Sequence, residues 1–485
     1  MNSKTLLTTL FALPLALGMV ACGDDSDDTS ASGSTSGDGD GDPSGDGDGD
    51  GDGDGDPTTG DGDGDGDGDG DGDQCADPLT TNPDDIVTVD ANIDGGATWT
   101  CDKVYVLSSI VVVTNGALTI EPGTTVRGQN GSALIIEKTS QIDAAGTADA
   151  PIVITADTTA TNPGGVSRGD WGGLVLIGDA PANCGTACTA EGFADSPPSY
   201  GGTDDAHNCG TLEYLRVEYA GFEVTAGNEL NGITFYGCGT DTTVSYVQSH
   251  MGADDGIEMF GGSFNADHVV VTGAADDSLD MDLGFSGDLQ YVLIHHDSTP
   301  VGDNGFEVSN GGDFAATPRT NPRVANATVV GAGTGDKSTG VFLKEQTNMS
   351  IWNSILGNYA LDATTMTPLM LILEDDETCS EWTSGNIAID FNIAIGDVFD
   401  ATPSTCDIAS LFGANNLTAD ADFTGLALDA TWGAPSVQPS PSSASVGNGA
   451  GSALPSTFDQ VDYIGAVDPL ASEDWTQAAW INYTP

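Results

Sequence analysis

Positive charge is the scarcest commodity in this chain: Lys and Arg together number 10 in 485 residues, against 75 Asp and Glu, for a formal net charge of −65. Phosphate backbones are held by basic faces, so nucleic acid is excluded as a partner. No apolar run is long enough to cross a bilayer as a helix; the longest, Leu6 to Met19, stops well short of about 20 residues. No stretch keeps a helical apolar period, so the fold is not helical. The five histidines (His207, His250, His268, His295, His296) do not complete a zinc-ligand spacing with the cysteines.

What is present is a repeat. DDGIEMFGG starts at Asp254, DDSLDMDLG at Asp276 and DNGFEVSNG at Asp303. An apolar strand precedes each copy: VSYVQSH, HVVVTG and LQYVLIHH. LNGITFYGCG at Leu230, STGVFLKEQ at Ser338 and WGGLVLIGD at Trp171 fit the same frame, with Asn231 and Thr339 on Asp255, and Ile233 and Val341 on Ile257. Short β-branched strands, tight polar turns and roughly six turns of ~22–35 residues predict an all-β chain, a parallel β-helix. Ile257, Leu279 and Phe306 are expected to stack inside it.

The amino terminus reads differently. Lys4 and the apolar run end in Met19-Val20-Ala21-Cys22, which resembles the lipobox of bacterial lipoproteins. The resemblance implies cleavage before Cys22, acylation of that cysteine and a membrane partner through the lipid anchor. Residues 23–74 are nearly all Gly-Asp, with no basic residue and no Glu. With nothing apolar to bury, they are expected to be a disordered acidic spacer.

Setting Cys22 aside leaves Cys75, Cys101, Cys184, Cys188, Cys209, Cys238, Cys379 and Cys406. An even number in an exported chain implies up to four disulfides. Joining neighbours along the chain gives 75–101, 184–188, 209–238 and 379–406, one pairing out of many.

From the residues, 75–117 is expected to be an amino-terminal cap, 118–358 the coils, 359–435 an irregular extension with a short helix at Cys406 to Phe412, and 436–485 a segment packing back on the scaffold. The run LTIEPGTTVRG, ALIIEKTSQIDAAGTADAPIVIT, GDWGGLVLIGDAP, LEYLRVEYAG, ELNGITFYGCG, VQSHMGADDGIEMFGG and the terminal DYIGAVDP closely resembles a group of bacterial outer-membrane and surface lipoproteins. That resemblance implies a right-handed parallel β-helix of pectate-lyase-like architecture, exported to the outer membrane or surface of a Gram-negative bacterium. It brings no settled biochemical activity with it.

Alternation along DDGIEMF should turn Ile257 and Met259 inward and Glu258 outward. Asp280 and Glu307 then stack on Glu258, Asp277 on Asp255, and Asp276 and Asp303 on Asp254. Like charges on coils ~4.8 Å apart repel, so something must offset them. Calcium bound by Asp254, Asp255, Glu258, Asp276, Asp277, Asp280, Asp303 and Glu307 would do so. Turn backbone N–H groups donating to the Asp side chains as Asx-turns would do so too. A third reading is catalysis on a polysaccharide by Asp255, Asp277, Glu258 and Asp280, as paired carboxylates on a glycosidic bond. The DDG turn has a local look of β-helix polysaccharide hydrolases. The Gly-His-Gly and Arg-Ile-Lys elements of the polygalacturonase-like enzymes are absent, however, and no Lys or Arg lies between Arg216 and Arg319. Lys344, on a later coil, could approach. The expectation is a lipid-anchored surface β-helix with a binding, adhesive or structural role, its partners a carbohydrate or another envelope protein.

Overall fold

A computed structural model describes residues 75–157, 165–193, 196–225, 228–297, 304–331, 339–357, 369–395, 399–401, 406–413, 416–417, 426–429 and 431–484. Cys22, Asp303 and the Gly-Asp segment lie outside the described residues.

Two long sheets of parallel strands carry the fold. The smaller holds eleven short strands, among them Ala133–Ile136, Leu174–Ile177, Ile233–Tyr236, Ile257–Phe260, Leu279–Asp282, Asn304–Val308, Thr339–Leu343 and Leu369–Leu373. Each pairs with its equivalent on the next coil, Ile257 with Leu279 and Leu279 with Phe306. The chain is a parallel β-helix, and the stacking expected of those three residues is observed.

Among the described residues the coils number eleven on this face, more than the six turns counted from the repeat. They begin before Leu118: Ile86–Val89 pairs with Val104–Leu107, and Ile93–Asp94 with Ile110–Thr114, inside the segment expected to be a cap. KVYVLSSIVVV is two faces of one coil turning at Ser108–Ser109, a corner too short to show as a break in an apolar run. They also continue past Asn358. Leu369–Leu373 pairs with Thr339–Leu343, and Phe399–Ala401 with Leu369–Leu373, so the supposed irregular extension is coil interrupted by the helix Asp376–Thr383. A second short helix spans Ile408–Phe412, where one was expected.

The larger sheet supplies two further faces. In the early coils they are separate short strands, Gln141–Ala145 and Ile152–Ala156. Both pair with the single strand Gly210–Glu218, which carries the two faces in one length. That strand and its successors Thr243–His250, Asn265–Thr272, Asp288–His295 and Arg323–Val330 bend once in the middle. At the bend Tyr214, Tyr246, His268, Tyr291 and Asn326 all take positive φ, between 43° and 60°. Left-handed backbone is unfavourable for side chains of this size. The rings repay it by stacking coil on coil, Tyr214 on Tyr246 at 4.3 Å, Tyr246 on His268 at 4.2 Å and His268 on Tyr291 at 4.9 Å.

Inside the coils the inward column Leu134, Leu174, Ile233, Ile257, Leu279, Phe306 and Val341 is fully buried. Outside, the carboxyl-terminal segment packs back as expected: Ala466, Val467, Trp480 and Ile481 cover Val270, Leu293 and Val330.

All four disulfides join neighbours along the chain: Cys75–Cys101, Cys184–Cys188, Cys209–Cys238 and Cys379–Cys406. Cys209–Cys238 is buried and ties one coil to the next. Replacing both of its cysteines with alanine is expected to cost about 3 kcal/mol in denaturant unfolding, because it frees a long loop. The same change at Cys184 and Cys188, which closes a far shorter loop, should cost less.

Candidate metal centre

The outward column on the eleven-strand sheet reads Val175, Thr234, Glu258, Asp280, Glu307, Phe342 from coil to coil. Strand alternation sends these side chains away from the core while Ile257, Met259, Leu279, Met281, Phe306 and Val308 fill it. Outward does not mean exposed here. Glu258 is 6% exposed, Asp255 7% and Asp277 5%; Asp254, Asp280 and Glu307 are half-buried and Asp276 is exposed.

Two insertions account for the cover. The first lies between Leu174–Ile177 and Gly210–Glu218, where Cys188–Thr189 pairs antiparallel with Ser199–Tyr200. The second carries the hairpin Glu223–Thr225 with Asn228–Glu229. Gly192 N–H donates to Asn228 Oδ1 at 2.8 Å, joining the two. Tyr200 packs on Tyr236, and Tyr236 on Phe260, with ring centroids 4.7 and 4.8 Å apart. Glu191, on the first insertion, reaches the Glu258 carboxyl.

At the start of each strand an Asx residue forms a second column. Asn231 Oδ1 accepts from Asp255 N–H at 3.2 Å, Asp255 Oδ1 from Asp277 N–H at 2.9 Å, and Asp277 Oδ1 from Asn304 N–H at 2.7 Å. The expected Asx-turns are therefore replaced by a ladder between coils: each side chain serves the backbone of the next turn rather than its own. The ladder ends in amides, and these reach acids. Asn231 Nδ2 donates to Glu258, and Asn304 Nδ2 donates to Glu307 at 3.1 Å. Lys344 closes an ion pair on Glu307, as its position on a later coil suggested.

Asp280, between Glu258 and Glu307, receives no ladder amide, and Lys344 acts on it only through its charge. On its coil the ladder position is Asp277, a carboxylate with no amide N–H to give. Asp280 Oδ1 is shielded from solvent and has no hydrogen-bond partner among the described residues. Three sets of acids place ligand oxygens within 4.8 Å of one another: Asp254, Asp255 and Asp276; Asp255, Glu258 and Asp280; Asp277, Asp280 and Glu307. Asp280 belongs to two of them.

Burial, and then neighbouring carboxylates, hold the protons on. Asp254 is pushed up to about 7 by desolvation and by Asp276. Desolvation carries Asp255, Glu258 and Asp280 well above the carboxylate range, reinforced by Asp277, Asp255 and Glu307 respectively. Such a cluster at neutral pH must hold protons or a cation.

Every predicted site residue but Asp303, which lies outside the described residues, is thus brought to one face. The histidines are not: His250 belongs to the other sheet, with Nδ1 2.7 Å from Thr272 Oγ1 and Nε2 2.8 Å from the Thr484 carbonyl. Sequence reasoning missed Asn231 as an amide donor and Glu191 as a neighbour. The first left a partial signal, since Asn231 takes the place of Asp255 in the repeat and carries N–H groups that an acid lacks; the second, in an insertion without periodicity, leaves none.

Residues 91–435 match the family described as pectate-lyase like beta helix domain. The chain belongs to this family. The pectate-lyase-like match supports a right-handed parallel β-helix, takes in most of the segment expected to be a cap and runs to the end of the expected irregular extension. No curated protein and no solved structure matches the chain. A pectate-lyase-like helix serves enzymes and surface proteins alike, so chemistry must be argued from the acids themselves.

Proposed function

We propose that this pectate-lyase-like protein is an exported cell-envelope β-helix that binds calcium along its acid ladder and acts as a binding or structural surface element. The observation that carries the reading is Asp280: a shielded, unpartnered carboxylate oxygen shared by two triads of acids. A hard divalent cation with six to eight oxygen ligands suits a site built wholly of carboxylates, and waters can complete the shell. Four disulfides accord with an oxidising compartment. The lipobox-like run ending at Cys22 accords with anchoring to a membrane.

Burial disfavours the hydrolase reading. A polysaccharide chain needs an open groove, whereas Glu258, Asp255 and Asp277 are each under a tenth exposed. Lys344, the basic group nearest the ladder, is already paired with Glu307.

Calorimetric titration of EDTA-treated protein at pH 7.5 tests the proposal. Saturable calcium binding at one or two sites per chain is expected, with magnesium weaker because it demands a stricter octahedron. Absence of calcium binding at millimolar concentration would end it.

A further inference from the structure

Away from the acid ladder, on the larger sheet, two of the scarce basic residues line one cavity. Val126 faces the core, so its neighbour Arg127 points out of the larger sheet, stacked between Val106 and Thr155. Arg127 is 1% exposed. It lines a cavity of about 270 Å³ together with Val153, Val166, Leu79, Tyr219 and Arg216. Leu79, at the lip, is among the few large apolar side chains left exposed, at 67%.

The unmet donors of this cavity are those of Arg127, and its acceptors are taken. Arg127 Nη2 donates to the Thr80 carbonyl at 3.2 Å. Nε stands 3.8 Å from Asp157 Oδ1, an ion-pair distance too long for a hydrogen bond. Nε and Nη1 have no hydrogen-bond partner among the described residues. By contrast, Glu218 Oε1 accepts from Arg216 Nε at 2.5 Å and from Asn482 Nδ2 at 2.8 Å, and Arg216 Nη1 is spent on the Trp480 carbonyl at 2.7 Å. Asp157 Oδ2 accepts from Gln129 at 3.0 Å. Guanidinium nitrogens buried with nothing to donate to are unfavourable, and a carboxylate is the group that matches their fork.

We propose that the Arg127 cavity binds a small monocarboxylate with an apolar body, its carboxylate on Arg127 and its hydrocarbon against Val153, Val166 and Leu79. A single negative charge is favoured over phosphate because Asp157 and Glu218 stand nearby and would repel a dianion. The cavity's size limits the ligand to a short aliphatic or single-ring acid. The site is independent of calcium.

Benzoate is the probe, with benzyl alcohol as its uncharged counterpart, titrated into the full chain in EDTA by calorimetry and by saturation-transfer NMR. Saturable one-to-one benzoate binding is expected, with competition by butyrate and none by benzyl alcohol. Val153→Trp, which fills the cavity and keeps the guanidinium, should weaken binding at least about tenfold. Arg127→Gln should do the same; should that variant fail to fold, Val153→Trp decides. Benzoate that does not saturate, or binds Val153→Trp as well as the parent, overturns the proposal and leaves water as the partner of Arg127.

Discussion

Asp280→Asn is expected to raise the melting temperature of the calcium-free protein at pH 8, and to remove most of the gain that calcium gives the parent. Both effects follow from one geometry. Asp280 stacks directly between Glu258 and Glu307 and lacks the ladder amide that each of them receives. An amide in its place deletes the like charge and supplies a donor to the flanking acids. Relief of a shielded like charge of this kind is worth about 1–3 kcal/mol, or roughly 1 °C per kcal/mol at the usual unfolding entropy for a fold of this length. The parent should gain about 3 °C at calcium concentrations near 100 times the dissociation constant, where linkage supplies about 2.7 kcal/mol. The variant should gain less than half of that, because two of the three triads lose a ligand. Equal calcium responses from the two proteins would overturn the site.

The pH dependence has a definite sign. A carboxyl whose folded-state value is raised binds more protons folded than unfolded. Asp254, raised from 3.8 to about 7, sets the window. Its contribution is most favourable below the ordinary carboxylate value and is lost as pH climbs through about 7. Asp255, Glu258 and Asp280 shift the same way. In EDTA the melting temperature should therefore rise as pH falls from 8 toward 5. With calcium the slope should flatten or reverse, since cation and proton compete for the same oxygens. A calcium-free curve that is level across this range would contradict the cluster's burial.

Trp480→Ala should be the most damaging single change in the carboxyl-terminal segment, at about 3–5 kcal/mol. The ring is 1% exposed and lies edge-on to Tyr214 and Tyr246, at 6.0 and 5.9 Å, and parallel to Trp475 at 6.4 Å. More than packing depends on it. Its carbonyl accepts from Arg216, and the two residues beyond it reach the same sheet: Asn482 exchanges hydrogen bonds with Gln248, and the Thr484 carbonyl meets His250. Loss of the indole should release this strap, which limited proteolysis would report as cleavage within residues 474–484 before any coil is cut. A variant that unfolds within 1 kcal/mol of the parent, with its tail still protected, would show that the coils hold their aromatic stack unaided.

How far the sequence could be read depends on where the repeat is regular. Ile257, Leu279 and Phe306 were placed above one another because a coil places equivalent residues at equivalent heights, and the apolar-acid-apolar alternation marks the register without any knowledge of neighbours. The same logic aligned Glu258, Asp280 and Glu307. It failed at Ser108–Ser109, where a corner of two polar residues does not interrupt the apolar signal, and past Asn358, where a helix inserted between coils hides the strands around it.

The chain's own residues thus determined a stack of short parallel strands and a row of acids along one face, both consequences of local alternation and spacing, while leaving the pairing of the cysteines open. Only the tertiary structure decided that Asp255, Glu258 and Asp277 are covered, that Asp280 Oδ1 meets no donor among the described residues, that Lys344 meets Glu307, and that Arg127 lines a cavity. Each of these depends on an insertion, a distant coil or a returning tail, and contacts between segments that share no period leave no pattern along the chain.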